Sequence, residues 1–525
     1  MGKVNKDLDK DFKSVKKESI TNFNKRWVII IIGFIFIMLL GTILIFKTIK
    51  HDVQNWEICQ NNYDGFILSY PKDWQKKIIP GVATILSKDG YIKLTIFVQP
   101  LDKVNAEQYI LYSNRSINEG WGGIKLKSQK KINLFGYKAW QFDWIRTRLS
   151  PSDLNYYREF DVIIGKKVYT FMLKSDQQHF LDATKDLNNV FLTFKTIPAM
   201  VKPDFPSVPM VKREINIEGQ HHRVNIPSGK TLWGILNPHK IGQIKYFDNL
   251  LPLEKQLDFK FQFLITYASL DTKFNQTELE QIYKDNRILM VALQPWWYGK
   301  KNDTSLIALI QGKYDFILRE WACQFKNLGD PVFVRFGNEM NGDWSTWSAW
   351  YTGKDTDIYK MAWEHVYNIF KSEGAKNVIF VFNPHDRSFP NFKWNNYLLY
   401  YPGDKTVDWI GLTGYNNGTS YPGDVWRDFD TIYDPLYRKY MNNFPDKPFM
   451  ITEFSCNEKG GNKANWIQQC FQHLSTNYPN IKIVVWFNQV DGKWQYNIDS
   501  SSQSFEAFKK GLENPCYHFQ AIYSK

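Results

Sequence analysis

Two glutamates stand where apolar runs end. Glu339 closes VFVRFGNE (332–339) and Glu453 lies near the end of FMITEFS (449–455). A carboxylate at the end of a largely apolar strand is costly unless it is paired or used. Two of them together supply what general acid, general base or nucleophilic work requires. Their neighbours are of the kinds such chemistry recruits. Asn338 precedes Glu339, and Arg335 lies four residues before it on the same side of the strand. Tyr415 and Asn416 end WIGLTGYN (409–416), and Trp486 and Asn488 belong to IVVWFNQ (483–489). Trp344 and Trp347 follow Glu339, with Trp296, Trp297 and Trp394 further along the chain. Indole rings at such positions line clefts or fill cores.

Those four runs belong to a set of eight, completed by LWGIL (232–236), FLITYAS (263–269), LMVALQP (289–295) and VIFVFNP (378–384). Continuous apolar runs suit strands buried on both faces, and segments between them, such as 355–373 (DTDIYKMAWEHVYNIFKSE), have helical period. An α/β fold with a (β/α)8 barrel over 213–525 is predicted. Its chemistry is expected at the C-terminal ends of the strands, where the polar residues collect.

Four strings in that region, VRFGNEMNGDWSTW (334–347), VDWIGLTGYN (407–416), KPFMITEFS (447–455) and VVWFNQVDGKWQYNID (484–499), resemble glycoside hydrolase family 26. The resemblance covers most of 230–512 and keeps the order and spacing of the motifs. It implies a barrel with catalytic glutamates on its fourth and seventh strands, Glu339 as acid/base and Glu453 as nucleophile. A retaining glycosidase of this kind needs two carboxyls ~5 to 5.5 Å apart, one protonated and one ionised. Burial and the like charge of its partner would raise the pKa of Glu339. Tyr415 is placed to hydrogen-bond Glu453, Arg335 to position the carboxylates, and Trp486 to floor the reacting subsite. Trp296, Trp297, Trp344, Trp347 and Trp394 would stack sugars. No metal or cofactor is called for. The chain departs from the mannanases of the family in having Asn338 where they have His. The wider clan has Asn there, against the substrate 2-hydroxyl. Gln294-Pro295 likewise stands where His is expected. The implied substrate is a β-linked polysaccharide, mannan first, then mixed-linkage glucan, xylan or the cell's own exopolysaccharide. Two other readings stay open: a barrel that binds glycan without cutting it, and a transglycosylase of polymer assembly.

The remainder of the 525 residues divides by composition. Residues 27–46 (WVIIIIGFIFIMLLGTILIF) carry no charge and are long enough to cross a bilayer. With the basic excess in residues 1–26, this predicts a single membrane helix, a cytoplasmic tail, and residues 51–525 outside the cell. The formal charge of +13 is then spent largely outside the barrel: it falls to +2 beyond position 200, which argues against a nucleic-acid partner. Residues 51–196 read as a small α+β domain, with a hairpin at Gly165-Lys166 and helices near 104–118 and 176–190. Its strings FILSYPKDW and NVFLTFKTI resemble small extracytoplasmic domains of the PsbP type. It reads as a stalk or binding module, open to contact with a cell-wall polymer. Four prolines make 197–212 a stiff linker. Five scattered cysteines show no metal or redox spacing. His221-His222 is read as solvated loop histidine, and Cys456 as a buried inert thiol.

Overall fold

The computed structural model describes residues 55–102, 104–200, 213–236, 247–296 and 305–525. The predicted membrane helix, the cytoplasmic tail and most of the linker lie outside the described residues. Among the described residues no helix is long and apolar enough to cross a membrane.

The eight apolar runs close into a parallel barrel. Its strands are β1 (Leu232–Leu236), β2 (Phe263–Ser269), β3 (Ile288–Gln294), β4 (Val332–Phe336), β5 (Val378–Phe382), β6 (Trp409–Thr413), β7 (Phe449–Phe454) and β8 (Ile481–Phe487), with β8 pairing back onto β1. Nearly every strand residue is buried, which is why the runs show no polar alternation. The lower barrel is filled from alternate strands: the rings of Phe263 on β2 and Phe333 on β4 meet at 5.1 Å, and Phe333 meets Trp409 of β6 at 5.5 Å. Arg335 is two residues beyond Phe333 and therefore on the same side of β4, one layer higher. The predicted helix at 355–373 is Asp357–Ser372.

A small antiparallel sheet of Ile215–Glu218, His222–Ile226 and Ile522–Ser524 joins the start of the barrel domain to its end. Here the expectation of two solvated histidines holds for the exposed His221 and fails for His222, which is buried. Asp330, just before β4, accepts the backbone N–H groups of both His221 and His222 and pairs with the buried His222 ring at 2.8 Å. A carboxylate more than a hundred residues away captured the imidazole, a contact with no local sequence signal.

Residues 75–175 build a seven-stranded antiparallel sheet in the order Gln75–Ile79, Val82–Leu86, Ile92–Pro100, Lys167–Ser175, Tyr156–Ile164, Tyr137–Ile145, Lys125–Leu134. The last turn of the Tyr156–Ile164 and Lys167–Ser175 hairpin runs through Gly165, whose φ of 59° suits a residue with no Cβ. Helix Phe180–Thr193 packs Leu187 and Phe191 onto one face, with Phe191 against Phe171 and Phe160. The expected helix near 104–118 is two pieces, Ala106–Ser113 and Arg115–Glu119, followed by a tight turn at Trp121–Gly123. The other face of the sheet meets the barrel: Val82, Phe97 and Met172 are continuous with the barrel's apolar core.

Candidate active site

The mouth of the barrel is shaped by the way β4 and β7 end. β4 stops at Phe336, and the chain turns through Gly337 and Glu339, both in the left-handed region at φ 52° and 55°. A Cβ on Gly337 would sit 2.9 Å from the Tyr359 ring, so only glycine fits. The Glu339 backbone N–H donates to the Asn383 carbonyl at 2.8 Å, fixing the turn against the end of β5. In β7 the register against β6 slips by a residue, from Ile451 opposite Leu412 to Glu453 opposite Thr413. Such a bulge re-aims the following side chain. Glu453 turns into the mouth.

The two carboxylates are held differently. Glu453 is 4% exposed and accepts from three donors. Arg335 Nη2 and Tyr267 Oη both reach its Oε1, and Tyr415 Oη donates to Oε2 at 2.7 Å. The Arg335 guanidinium is fully buried, 5.8 Å from the Tyr267 ring centre. Burial works against its charge, but Glu453, Tyr267 and Glu339 together outweigh that and raise its pKa. Tyr267 and Tyr415 are pushed far up by burial and by the charge of Glu453, so both phenols remain donors. Glu339 instead receives the indole N–H of Trp344 on Oε2 at 2.9 Å. Burial, reinforced by Glu453, raises its pKa above the ordinary glutamate value against the pull of His385. One carboxylate is clamped as an acceptor and the other is biased toward its protonated form.

Both open into one cleft of about 610 Å³, lined also by Tyr267, Gln294, Asn338, Trp344, His385, Tyr415, Phe487, Trp494 and Tyr496. Gln294 Nε2 reaches Asn338 Oδ1 at 3.5 Å. Asn338, Arg335, Tyr415 and Trp344 thus gather around the pair, Trp344 being half exposed. The other indoles are placed otherwise. Trp486 is fully buried among Phe454, Trp466 and Phe508 on the helix side of the barrel, its N–H on the Tyr496 carbonyl. Successive strand residues face opposite ways, so Phe487, not Trp486, meets the cleft. Trp347 is buried beneath Asn338, donating to its carbonyl at 2.8 Å. Trp394 is buried against the N-terminal sheet domain through Ser113 at 3.0 Å. Trp296 is half-buried behind the cleft wall, its N–H on Gln294 Oε1 at 3.1 Å, and Trp297 lies outside the described residues. Cys456 is buried, takes a hydrogen bond from Asn416, and has its pKa raised by burial.

Sequence reasoning missed Tyr267, His385 and the Trp494–Tyr496 wall. Tyr267 had a signal: it shares a face of FLITYAS with Phe263 and Ile265, and is the hydroxyl-bearing member of that set. His385 had none beyond standing just after β5. Among the described residues no cluster suits a metal ion.

A parallel barrel with one clamped and one proton-biased glutamate at its mouth has the layout that paired-carboxylate chemistry needs. Comparison gives the particular likeness. Residues 301–479 match the sequence model of glycosyl hydrolase family 26. Endoglucanase H of Acetivibrio thermocellus is 31% identical over 261 residues, 49% of this chain and 28% of that protein. Mannan endo-1,4-beta-mannosidase of Bacillus subtilis is 33% identical over 97 residues, 18% of this chain and 25% of that protein. The chain therefore spans about a quarter of the length of these curated relatives. The catalytic domain of the Bacillus sp. JAMB-750 GH26 endo-beta-1,4-mannanase aligns with 55% of this chain and 88% of its own at 18% identity, with a TM-score of 0.43. The family expected from the sequence is thus supported by its sequence model and by curated relatives.

Proposed function

We propose that the chain is a retaining endo-glycosidase of the family 26 type, acting on a β-linked polysaccharide. The observation that carries this is the unequal environment of two glutamates in one cleft. Glu453, held by Arg335, Tyr267 and Tyr415, attacks the anomeric carbon as the glycosidic bond breaks. Glu339 passes its proton to the departing oxygen. A water then attacks the glycosyl-enzyme ester, giving a proton to Glu339 and returning Glu453 as carboxylate. The three donors cost nothing to rearrange during the reaction, since they are in place beforehand. Asn338, beside Glu339 and within reach of Gln294, is the polar edge for the sugar hydroxyls.

Mannan is the first substrate in this reading. A second is β-glucan, favoured because the relative matched over 261 residues is named an endoglucanase, whereas the mannosidase match spans 97. Residues 27–46 tether the chain, with the barrel outside the cell. The test is release of reducing sugar by the full chain from mannan, glucomannan, mixed-linkage glucan and xylan, with Glu453→Ala alongside. Release that vanishes in Glu453→Ala supports the enzyme and identifies its backbone sugar. Binding without release on any polymer would replace the hydrolase with a glycan-binding barrel, and formation of longer products would point to transglycosylation.

A further inference from the structure

The loop from Gly337 to Thr356, which carries Glu339 and Trp344, is gripped from outside the barrel. Trp121 of the N-terminal sheet domain stacks on Tyr351 with ring centres 5.3 Å apart. Gly122 lies so close that a Cβ there would be 2.8 Å from the Tyr351 carbonyl oxygen. The Tyr351 hydroxyl in turn donates to the Asp343 carbonyl at 2.7 Å. The next residue is Trp344, whose ring lies on Gly342 and whose N–H holds Glu339.

Further along the loop the grip becomes ionic. Lys354, 2% exposed, donates to Glu159 and Asn114 at 2.6 Å each. Asp355 takes the Tyr157 hydroxyl at 2.6 Å and Lys174 at 3.0 Å. Gly353, at φ 67°, presses onto the Trp144 ring. A loop merely covering apolar surface needs none of this. Buried ion pairs add little over apolar packing but are costly to break once formed. Separate elements of the sheet domain close on one loop.

We propose that the sheet domain is a positioning device for proton donation, with Trp121 and Tyr351 as positioning residues that keep Trp344 against Glu339. This rests on the glycosidase reading above. It predicts a defect confined to the acid step. Tyr351→Phe removes one hydroxyl and Trp121→Leu one ring, and both are to be made in the full chain. With the polysaccharide, kcat/KM should fall roughly tenfold, the order expected when a catalytic group is displaced by a fraction of an ångström. With a dinitrophenyl disaccharide glycoside, whose leaving group needs no proton, it should change by less than about twofold. The alkaline limb of the pH profile should also move upward, because the indole N–H favours ionised Glu339.

Equal losses on both substrates, or no loss on either, overturn the proposal. Wild-type turnover of neither substrate overturns the glycosidase reading instead. Amide hydrogen exchange across 340–352 then tests the grip without any turnover: faster exchange in Tyr351→Phe supports it, and unchanged exchange refutes it.

Discussion

Glu339 is the residue on which the pH behaviour turns. Burial raises its pKa first and the neighbouring Glu453 adds to that, so activity that needs its proton persists above the range in which an ordinary glutamate titrates and falls as pH rises through the elevated value. Replacing Glu339 with Gln removes that limb and should cost about 10²- to 10⁴-fold in kcat/KM on polysaccharide. Rate profiles of wild type and Glu339→Gln check this, and an unchanged alkaline limb in the variant would assign it to another group. Arg335 tests the clamp. It is fully buried and bonded to Glu453, so Arg335→Met leaves a buried carboxylate with only its tyrosines and should lower unfolding stability by about 3 to 5 kcal/mol. These four positions, Glu339, Glu453, Arg335 and Tyr415, were legible because a charged or hydroxyl group inside an apolar run is conspicuous. Tyr267 was less so, since tyrosine is ordinary in a core.

Elements decide which face a conspicuous residue serves, and an apolar run does not carry that information. The eight strands could be located from their apolar runs, and β1 and β2 have the predicted bounds. What the runs do not reveal is phase. When both faces of a strand are apolar, the alternation that would tell barrel interior from helix side is invisible. Trp486 and Phe487 look alike in sequence and lie on opposite sides of β8. Their substitutions should therefore separate. Trp486→Ala empties a site packed by Phe454, Trp466 and Phe508 and should destabilise the fold by about 3 to 5 kcal/mol while leaving KM nearly unchanged. Phe487→Ala removes a cleft wall that meets Tyr415 at 5.6 Å. It should raise KM at a smaller stability cost. Denaturant unfolding and steady-state kinetics of the two variants decide it, and a KM increase confined to Trp486→Ala would reverse the assignment. The bulge in β7 that turns Glu453 inward is equally silent in sequence, since it arises from register between strands.

For the whole molecule, the feature with no local signature is the charged seam between sheet and barrel. Its partners are separated by between 181 and 264 residues. Asp357, at the N-terminus of helix Asp357–Ser372, accepts Lys93 at 2.6 Å and is contacted by Lys174 and Lys360. Burial resists ionisation there, but the three lysines hold its pKa well below the ordinary aspartate value. A carboxyl depressed in the folded state contributes stability that is fully present above its unfolded pKa of about 3.9 and is lost as pH falls through the folded value. The seam should thus be firm at neutral pH and fail in acid. Asp357→Asn leaves Lys93 and Lys174 facing each other without their shared anion. It should cost about 3 kcal/mol at pH 7, the lower end for breaking a buried pair because Asp357 is 20% exposed. At pH 3 the penalty should shrink, since the carboxyl is then protonated in the unfolded chain and folding must strip that proton to form the seam. Urea unfolding of both proteins across that interval measures the difference directly. Parallel pH dependence in the two would mean that the lysines, not the aspartate, set the strength of the seam.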